Sequence, residues 1–256
     1  MKKSLGFIGG GRITKIFLQA LANKKIELSS VLFCDTNMEV LNALKKQFPK
    51  ILLTDSCKLA AAQDIVFVAL HPPAIMETLE QIKTSVSDKT QVVSFAPKIS
   101  IEKIKSKLGI NNVARMIPNA TSYINEGYNP VSFSDEFPVA EKQHLFELLL
   151  TLGKTFEVEE SKLEAYAIVS AMLPTYFWYQ FKEMQKLGVQ MGLNETESKE
   201  TVQQTLLAAI DLFYNSGLSN NEVIDLIPVK PIGDHEAQIS EIYQNKLMSL
   251  FQKIKG

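Results

Sequence analysis

The chain has 256 residues, with 27 basic and 28 acidic side chains and a formal charge of −1. Hydrophobic residues make up 46% of it, which is enough to form the core of one large or two medium globular domains. No run of about five or six like charges occurs, so neither a nucleic-acid-binding surface nor an anionic-lipid patch is indicated. We therefore expect a small-molecule substrate and other protein chains as partners, with no nucleic acid and no membrane.

Cysteine content and the N-terminal pattern bear on the compartment. Cys34 and Cys57 are too few for a disulfide framework or a four-ligand zinc site, and we expect each to be a buried thiol that behaves as a small hydrophobe. The N-terminal apolar run breaks at Gly9 and then meets Arg12, which is not typical of a signal peptide. The three histidines lie far apart and lack metal-ligand spacing. We expect a cytoplasmic protein in a reducing compartment, without a metal site.

The first 95 or so residues alternate β-rich runs with helical patterns, which is typical of βαβ units and a parallel sheet. Apolar Leu5–Ile8 predicts a first strand, and apolar positions at helical spacing from Ile13 to Leu21 predict an amphipathic helix. Asn37 can cap a second helix. Further strands are predicted at residues 29–35, 51–54, 64–70, 91–96 and 112–117.

The second half of the chain changes from strands to helices. A loop leads to an outer strand, then to a helix over residues 139–153 that ends at a C-terminal glycine, and to a last short strand, KTFEV. Helical stretches then follow at residues 160–187, 195–216, 221–226 and 235–253. The aromatic residues of 176–181 have helical spacing, which favours a core or dimer interface over a ligand cage. The sequence predicts an α/β Rossmann-type dinucleotide-binding domain, residues 1–158, and an all-helical domain, residues 159–256.

The glycine-rich stretch GFIGGGRIT connects the first predicted strand to the first predicted helix. Gly9, Gly11 and Thr14 occupy the small-residue positions of the G-x-G-x-x-G/A dinucleotide fingerprint, and Thr14 departs from it. Gly9 permits a tight turn, while Gly11 lets the backbone approach a pyrophosphate that the helix N-terminus from Arg12 can bind. The strand, the helix and an acid roughly twenty residues on favour a cofactor loop over a glycine-rich turn without a ligand.

That acid is Asp35, at the carboxyl end of the second predicted strand. A carboxylate there accepts hydrogen bonds from the ribose hydroxyls and repels a 2′-phosphate, and the following TNME contains no Arg or Lys to bind that phosphate. The sequence therefore favours NAD over NADP. The alternative is that Asp35 only begins the turn with Thr36 and Asn37.

Seven landmarks in order along nearly the whole chain resemble those of pyrroline-5-carboxylate reductases. They are GFIGGGRIT, FVALHPP, VVSFAPKIS, ARMIPNATSYINEGYNP, LLTLGKTFEVEE, Pro174 with Tyr176 in a long helix, and PVKPIGDHEAQI. The resemblance implies that the helical domain dimerises and contributes to the substrate site. It also implies an oxidoreductase that transfers a hydride from NAD(P)H to the C=N carbon of pyrroline-5-carboxylate, giving proline.

The resemblance further implies cofactor contacts, all at the ends of predicted strands. The pyrophosphate and adenosine ribose are expected to contact Gly9, Gly11, Arg12, Ile13, Asp35 and Thr36. The rest of the cofactor, up to the nicotinamide, is expected to contact Leu70, His71, Pro72, Ala96, Pro97, Pro118 and Asn119. Ligands of open α/β sheets do bind outside the carboxyl ends of the strands. Asn119 can hold a carboxamide or a water, and a simple turn residue after Pro118 is an equal alternative.

Both substrate loops depart from the family pattern. SAMLP, residues 170–174, keeps Ser170 but replaces small residues with larger ones, so this pocket wall is expected to be bulkier and more apolar. In KPIGDHE, residues 230–236, His235 stands at the position of the family's catalytic threonine and Lys230 at that of a serine. Substrate contacts are expected from Ser170, Lys230, Gly233 and Asp234.

His235 is the candidate catalytic residue. An imidazole with an ordinary pKa of about 6.5 can protonate an imine nitrogen near neutral pH, and Lys230 can pair with a substrate carboxylate. The alternative is that His235 is a surface residue at a helix start, with Asp234 as the N-cap. Because both loops deviate, two other functions stay open: a reductase or dehydrogenase of another small imine, keto or hydroxy acid, and a non-catalytic dinucleotide-binding sensor.

Overall fold

The computed structural model describes residues 3–255. These divide into two compact units, one that runs to Ala171 and includes residues 250–255, and one that comprises Met172–Ser249. Residues 159–171, which the sequence assigns to the helical domain, thus lie in the first unit. Ion pairs from the buried Arg115 to the carboxylates of Glu160 and Glu164 hold them there.

The described residues of the first unit form an eight-stranded sheet. Its strands are β1 (Ser4–Ile8), β2 (Ser30–Cys34), β3 (Leu52–Thr54), β4 (Ile65–Val68), β5 (Gln91–Ser94), β6 (Val113–Met116), β7 (Gly127–Phe133) and β8 (Gly153–Glu157). Their order is β3-β2-β1-β4-β5-β6-β7-β8, parallel throughout except between β6 and β7. The order reverses between β1 and β4, which is the switch point of a doubly wound sheet. The predicted Rossmann-type α/β fold is confirmed.

Helices cover the sheet and bury its apolar strands. They are α1 (Arg12–Asn23), α2 (Met38–Gln47), α3 (Cys57–Ala61), α4 (Pro72–Ile82), α5 (Ile101–Leu108) and α6 (Val139–Leu150). On one face the Phe7 ring stacks on Phe33 at 4.7 Å and on Phe67 at 4.8 Å, whereas the next residue, Ile8, packs in the core of the other face. Burial on both faces explains why β1 and β4 read as continuous apolar runs.

Gly153 does not end the helix predicted for residues 139–153, and this prediction was wrong at its C-terminus. Helix α6 stops at Leu150, and Gly153 opens β8 with φ +129°. A Cβ on Gly153 would lie 2.3 Å from the backbone nitrogen of Gly127. The glycine therefore serves the close pairing of β7 with β8, because no other residue fits there.

The expectation of two free buried thiols was also wrong. Cys34, the last residue of β2, and Cys57, the first residue of α3, form a disulfide with a Cα–Cα distance of 5.1 Å. The parallel pairing of β2 with β3 brings them together, because α3 begins shortly after β3 ends. This adjacency depends on the sheet and leaves no signal in the local sequence.

The helical stretch predicted over residues 160–187 is interrupted. It consists of a 3-10 turn (Glu160–Lys162), α7 (Leu163–Tyr166), a π-helical turn (Ala167–Ala171) and the start of α8 (Leu173–Gln190). Pro174 lies in the first turn of α8, where its missing N–H costs no intrahelical hydrogen bond. The proline thus favours a new helix start at this point.

The described part of the second unit is helical, as predicted. Besides α8 it contains α9 (Glu195–Asn215), α10 (Asn220–Asp225) and most of α11 (Glu236–Lys255). Capping boxes begin α9 at Asn194 and α10 at Ser219. Large apolar side chains are nevertheless exposed, Trp178 by 51% and Tyr214 by 75%. None of the helices within residues 3–255 is both long and apolar enough to cross a membrane.

Candidate functional site

The expected cofactor residues come together at one edge of the sheet. They follow β1, β2, β4, β5 and β6, which are parallel neighbours whose carboxyl ends share that edge. The set comprises Gly9, Gly11, Arg12, Ile13, Asp35, Thr36, Leu70, His71, Pro72, Ala96, Pro97, Pro118 and Asn119. The switch point between β1 and β4, where such sheets open a crevice, lies in the middle of this row.

Gly9 makes the sharp turn out of β1. Its φ is +103°, and a Cβ there would lie 2.6 Å from the carbonyl oxygen of Ala69. Its N–H donates to the Cys34 carbonyl at 2.8 Å. Only glycine satisfies both the backbone angle and the contact with the residue that follows β4.

Thr14, the departure from the fingerprint, is fully buried. Its hydroxyl donates a 2.6 Å hydrogen bond to the Gly9 carbonyl, so the side chain folds back onto the loop. The larger residue is therefore accommodated and supports the glycine turn.

The N-terminus of α1 is open at Gly11. Gly11 is its N-cap, no side chain of the described residues caps it, and no atom lies within 4 Å of the position that a Gly11 Cβ would take. Arg12 is exposed and Ile13 half-buried. Unpaired backbone N–H groups and the positive end of the helix dipole suit a pyrophosphate here, so these residues fit a dinucleotide.

Asp35 combines two structural roles. One carboxylate oxygen accepts from the Gly10 N–H at 2.5 Å, and the other accepts from the Asn37 N–H at 2.8 Å. Asn37 in turn caps α2, accepting from the Glu39 N–H at 2.9 Å. The acid thus begins the turn, as the alternative interpretation has it, and also ties the glycine loop to the end of β2. Thr36 beside it is exposed.

The segment after β4 lies next to the glycine loop. Leu70 is half-buried, and its Cδ2 lies 3.3 Å from the position that a Gly9 Cβ would take. His71 is exposed and is the N-cap residue of α4, with no hydrogen bond from its side chain to the helix. The backbone of Pro72 begins α4, and its side chain lies outside the described residues.

The segments after β5 and β6 carry the residues expected at the nicotinamide. Ala96 is buried with Pro97 half-buried beside it, and Pro118 is buried. The Asn119 carboxamide is engaged: its oxygen accepts from the N–H and the hydroxyl of Thr121, and so caps the 3-10 helix Ala120–Ile124. Its nitrogen donates to the Ser170 carbonyl and hydroxyl at 3.2 Å each. Asn119 is thus a turn residue that also contacts an expected substrate residue.

Ser170 belongs to the π-helical turn, a distortion that is frequent at functional sites. Its hydroxyl donates to the Tyr128 carbonyl at 3.2 Å. The structure therefore joins the retained residue of the SAMLP loop to the strand-end row through Asn119.

The other expected substrate residues belong to the second unit. Lys230, Asp234 and His235 are exposed and Gly233 is half-buried. Gly233 N–H donates to the Lys230 carbonyl at 3.0 Å, and Gly233–His235 form a 3-10 turn just before α11. Asp234 lies inside this 3-10 turn, and α11 begins directly after it at Glu236. His235 stands at a helix start, as its alternative interpretation requires.

Sequence reasoning missed a buried ionic cluster beside this row. Arg115 of β6, whose side chain is 4% exposed, donates to Glu160 Oε1 at 2.7 Å and to Glu164 Oε1 at 2.6 Å. The available signal was an arginine within an otherwise apolar strand, since such a residue needs partners when buried. Within residues 3–255, no three His, Cys, Asp or Glu side chains are grouped as metal ligands would be.

Comparison with known proteins gives consistent matches over both halves. Residues 4–98 match a family model described as NADP oxidoreductase, coenzyme F420-dependent, and residues 160–254 match one described as pyrroline-5-carboxylate reductase dimerisation. A curated pyrroline-5-carboxylate reductase of Staphylococcus saprophyticus is 25% identical over 252 residues, which cover 97% of this chain and 92% of the relative.

Solved structures share the fold over nearly the full length. A Plasmodium falciparum pyrroline carboxylate reductase with NADP bound gives a TM-score of 0.77 at 20% identity, covering 99% of this chain and 94% of the neighbour. A Coxiella burnetii pyrroline-5-carboxylate reductase gives a TM-score of 0.69 at 23% identity, with the same coverage. The sheet order, the strand-end row and these matches agree with the landmarks noted in the sequence, and together they indicate the pyrroline-5-carboxylate reductase family.

Proposed function

We propose that the protein is an NAD(P)H-dependent oxidoreductase that reduces the C=N bond of pyrroline-5-carboxylate to give proline, the last step of proline biosynthesis. The observation that carries the proposal is the uncapped N-terminus of α1 with free space above Gly11, in a chain of this family. A bound nicotinamide would supply the hydride. The chain's own residues bind and orient the cofactor, hold the substrate and deliver a proton.

Cofactor binding is assigned to the strand-end row. Gly9 and Gly11, with the backbone of Arg12 and Ile13, would hold the pyrophosphate at the helix N-terminus. Leu70, His71 and Pro72 would line the cofactor, while Ala96, Pro97, Pro118 and Asn119 would contact the nicotinamide. Their position at the carboxyl ends of neighbouring strands supports this assignment.

NAD is proposed as the preferred cofactor over NADP. Support comes from Asp35, whose carboxylate lies at the end of β2 against the Gly10 N–H, where a 2′-phosphate would meet a like charge. Asp35→Ser keeps a hydrogen-bond acceptor and removes the charge, so we expect the ratio of kcat/KM for NADH over NADPH to fall about tenfold. A wild-type preference for NADPH would refute this part.

Substrate contacts are proposed for Ser170, Lys230, Gly233 and Asp234, with His235 as the proton donor to the imine nitrogen. The chemistry supports His235 because a protonated imidazole can donate a proton from its ring nitrogen to an imine. His235→Gln keeps hydrogen-bonding capacity but removes the proton, and we expect it to lower kcat about 10²-fold while NADH affinity stays unchanged. His144→Gln, in α6, is the matched control.

The assembly proposed is a homodimer or larger homo-oligomer, and the location proposed is the cytoplasm. The dimerisation model that matches residues 160–254 and the exposed apolar side chains of the second unit support the former. In the cytoplasm most protein disulfides are kept reduced, so the Cys34–Cys57 bond is expected to be open there. Thiol trapping by alkylation in intact cells measures the fraction of the bonded form.

The deciding experiment is oxidation of NADH or NADPH on addition of pyrroline-5-carboxylate, followed by identification of proline. A second candidate, reduction of a different small imine, keto or hydroxy acid, is favoured by the larger residues Met172 and Leu173 in the SAMLP loop. Turnover of such a compound but not of pyrroline-5-carboxylate would establish that candidate. NADH binding without turnover of any of these compounds would indicate a non-catalytic dinucleotide-binding sensor.

A further inference from the structure

A buried charged cluster of the first unit contacts Ala96, one of the residues expected at the nicotinamide. Arg115 lies on the face of β6 that packs toward α5, and only 4% of its side-chain surface is exposed. Its guanidinium donates to three acceptors on two segments: Glu160 Oε1 at 2.7 Å and Glu164 Oε1 at 2.6 Å on one, and the Ala96 carbonyl at 3.3 Å on the other. Glu160 Oε1 also accepts from the Ile101 N–H at 2.8 Å, at the start of α5. One side chain therefore joins the loop after β5 to the segment of residues 160–171.

Net stability does not account for this arrangement. A buried ion pair gains little over apolar packing, because both charges lose their hydration. Arg115 Nε is buried and has no hydrogen-bond partner among the described residues, which adds a cost. What the planar guanidinium does supply is fixed direction, since its N–H groups hold several acceptors at set angles.

The chain that continues from β6 also anchors the other end of residues 160–171. Asn119, four residues beyond Arg115, donates to the Ser170 carbonyl and hydroxyl, so this segment is held near both of its ends. The backbone N–H of Asn119 is fixed in turn by Asn129 Oδ1 at 2.9 Å. The separation of Ala96, Asn119 and Ser170 is thus determined by side chains of β6 and its extension.

We propose that Arg115, through Glu164 and the Ala96 carbonyl, is a positioning residue that fixes the nicotinamide-side loops relative to the Ser170 segment. Its kinetic consequence rests on the proposed function. Hydride transfer requires the donor and acceptor carbons about 3–3.5 Å apart, and a displacement of about 1 Å can cost on the order of 10²-fold in rate. Loss of the Arg115 contacts should therefore slow the hydride step without weakening cofactor binding.

Two substitutions at Glu164 test the proposal and leave Arg115 its second carboxylate partner, Glu160. Glu164→Gln keeps an acceptor for Arg115 but removes the charge, whereas Glu164→Asp keeps the charge and shortens its reach. The matched control is Glu141→Gln in α6. It removes a carboxylate that accepts hydrogen bonds from Gln91 and Lys3 and is not among the carboxylates that pair with Arg115. Arg115→Lys is the more severe variant, because a lysine cannot bridge all three acceptors.

The first measurement needs neither substrate nor cofactor. Amide hydrogen exchange of the full chain should rise at least about tenfold at residues 163–171 in the Gln variant, as expected for a lost charged hydrogen bond. Peptides of β1 and β2 should be unchanged, and the Glu141 control should leave residues 163–171 as in wild type. Unaltered exchange at these residues in both Glu164 variants would overturn the proposal, whatever reaction the protein catalyses.

The second measurement is kinetic. In both Glu164 variants kcat should fall about 10–10²-fold while the Kd for NADH changes less than about threefold. The deuterium isotope effect with 4-deuterated NADH should rise, because the hydride step becomes rate-limiting. A kcat loss with an unchanged hydride rate in single-turnover experiments would mean that only the active fraction has dropped, which overturns positioning. An inactive wild type would instead refute the proposed function, and the exchange result would still decide this inference.

Discussion

At the scale of single residues, the two glycines of the fingerprint are present for different reasons, one for the fold and the other for helix capping or ligand binding. Gly9 is needed by the fold, because its φ of +103° and its contact with the Ala69 carbonyl exclude a Cβ. Gly11 has no such neighbour, so packing does not require glycine there; its N-cap position and the close approach of a ligand are the remaining reasons.

Gly9→Ala and Gly11→Ala should therefore behave differently. We expect Gly9→Ala to lower the free energy of unfolding by more than about 2 kcal/mol, because it adds a clash to a strained backbone. Gly11→Ala should cost about 1 kcal/mol or less, since alanine is only a poorer N-cap, yet weaken NADH binding about tenfold or more. Urea unfolding and a fluorescence titration with NADH measure the two quantities. Equal affinity of Gly11→Ala and wild type would argue against a pyrophosphate at α1.

At the scale of elements, the strands were predictable and their long-range links were not. The runs that form β1, β4 and β5 are apolar and rich in β-branched or aromatic residues, so burial in a parallel sheet could be inferred from them. Helices α3 to α5 have no counterpart among the predictions, since a five-residue helix such as α3 shows too little periodicity.

The candidate site likewise has features that the sequence predicts and contacts that it does not predict. Its strand-end positions could be predicted because topology fixes where ligands bind, as with Gly9 and Asp35. The contacts between Arg115 and Glu164, or Asn119 and Ser170, join residues about fifty positions apart and leave no local pattern. Tertiary packing alone creates them.

The Cys34–Cys57 disulfide gives a prediction at this scale. It closes a loop with a sequence separation of 23, and a loop of this size is worth about 3 kcal/mol to the folded state. We expect a thiol reductant to lower the free energy of unfolding by this order and also to weaken NADH binding, because the Cys34 carbonyl holds the Gly9 N–H. Cys57→Ser should match the reduced protein and no longer respond to the reductant, which urea unfolding with and without reductant will test.

The starts of β1 and β4 are held by Ser4 and Asp64. Asp64 Oδ2 accepts from the Ser4 N–H at 2.7 Å and from its hydroxyl at 2.8 Å. Burial by itself would raise the pKa of Asp64, but these hydrogen bonds and the charge of Lys3 together lower it from 3.8. A carboxyl with a lowered pKa in the folded state stabilises the fold above its unfolded pKa and loses that effect as pH falls.

Asp64→Asn should accordingly be about 1 kcal/mol less stable than wild type near neutral pH. The difference should shrink once the pH drops below 3.8 and continue to fall through the lower folded pKa. Urea unfolding at a series of pH values measures it. Glu80→Gln, which breaks an exposed ion pair with Lys107, serves as the control and should change stability little. A difference that is constant down to pH 2 would contradict this assignment.

At the scale of the whole molecule, the second unit leaves a large apolar surface uncovered by its own residues. In α9 the side chains of Leu207, Ile210 and Tyr214 are 58%, 56% and 75% exposed and recur at helical spacing. Apolar stripes of this extent mark protein–protein interfaces, which agrees with the proposed homo-oligomer.

Ile210→Asp should therefore dissociate the oligomer, because it buries a charge in the contact. Sedimentation equilibrium gives the mass. The chain's single tryptophan, Trp178 of α8, adds a second readout, because its emission should shift to the red when dissociation exposes it to water. Thr205→Asp, at an exposed position on the opposite face of the same helix, is the control. A wild-type chain that sediments as a monomer would refute the proposed assembly.

The bond from the Thr14 hydroxyl to the Gly9 carbonyl bears on how dinucleotide-binding chains are recognised in genomes. A search that demands glycine or alanine at the third fingerprint position rejects this chain, although its loop has the required backbone. The physical condition at that position is a side chain that does not hold the helix away from the strand, and a short hydroxyl residue meets it by bonding inward. Pattern definitions that admit threonine, and by the same chemistry serine, would recover such chains when a strand, a helix and a distant acid accompany them.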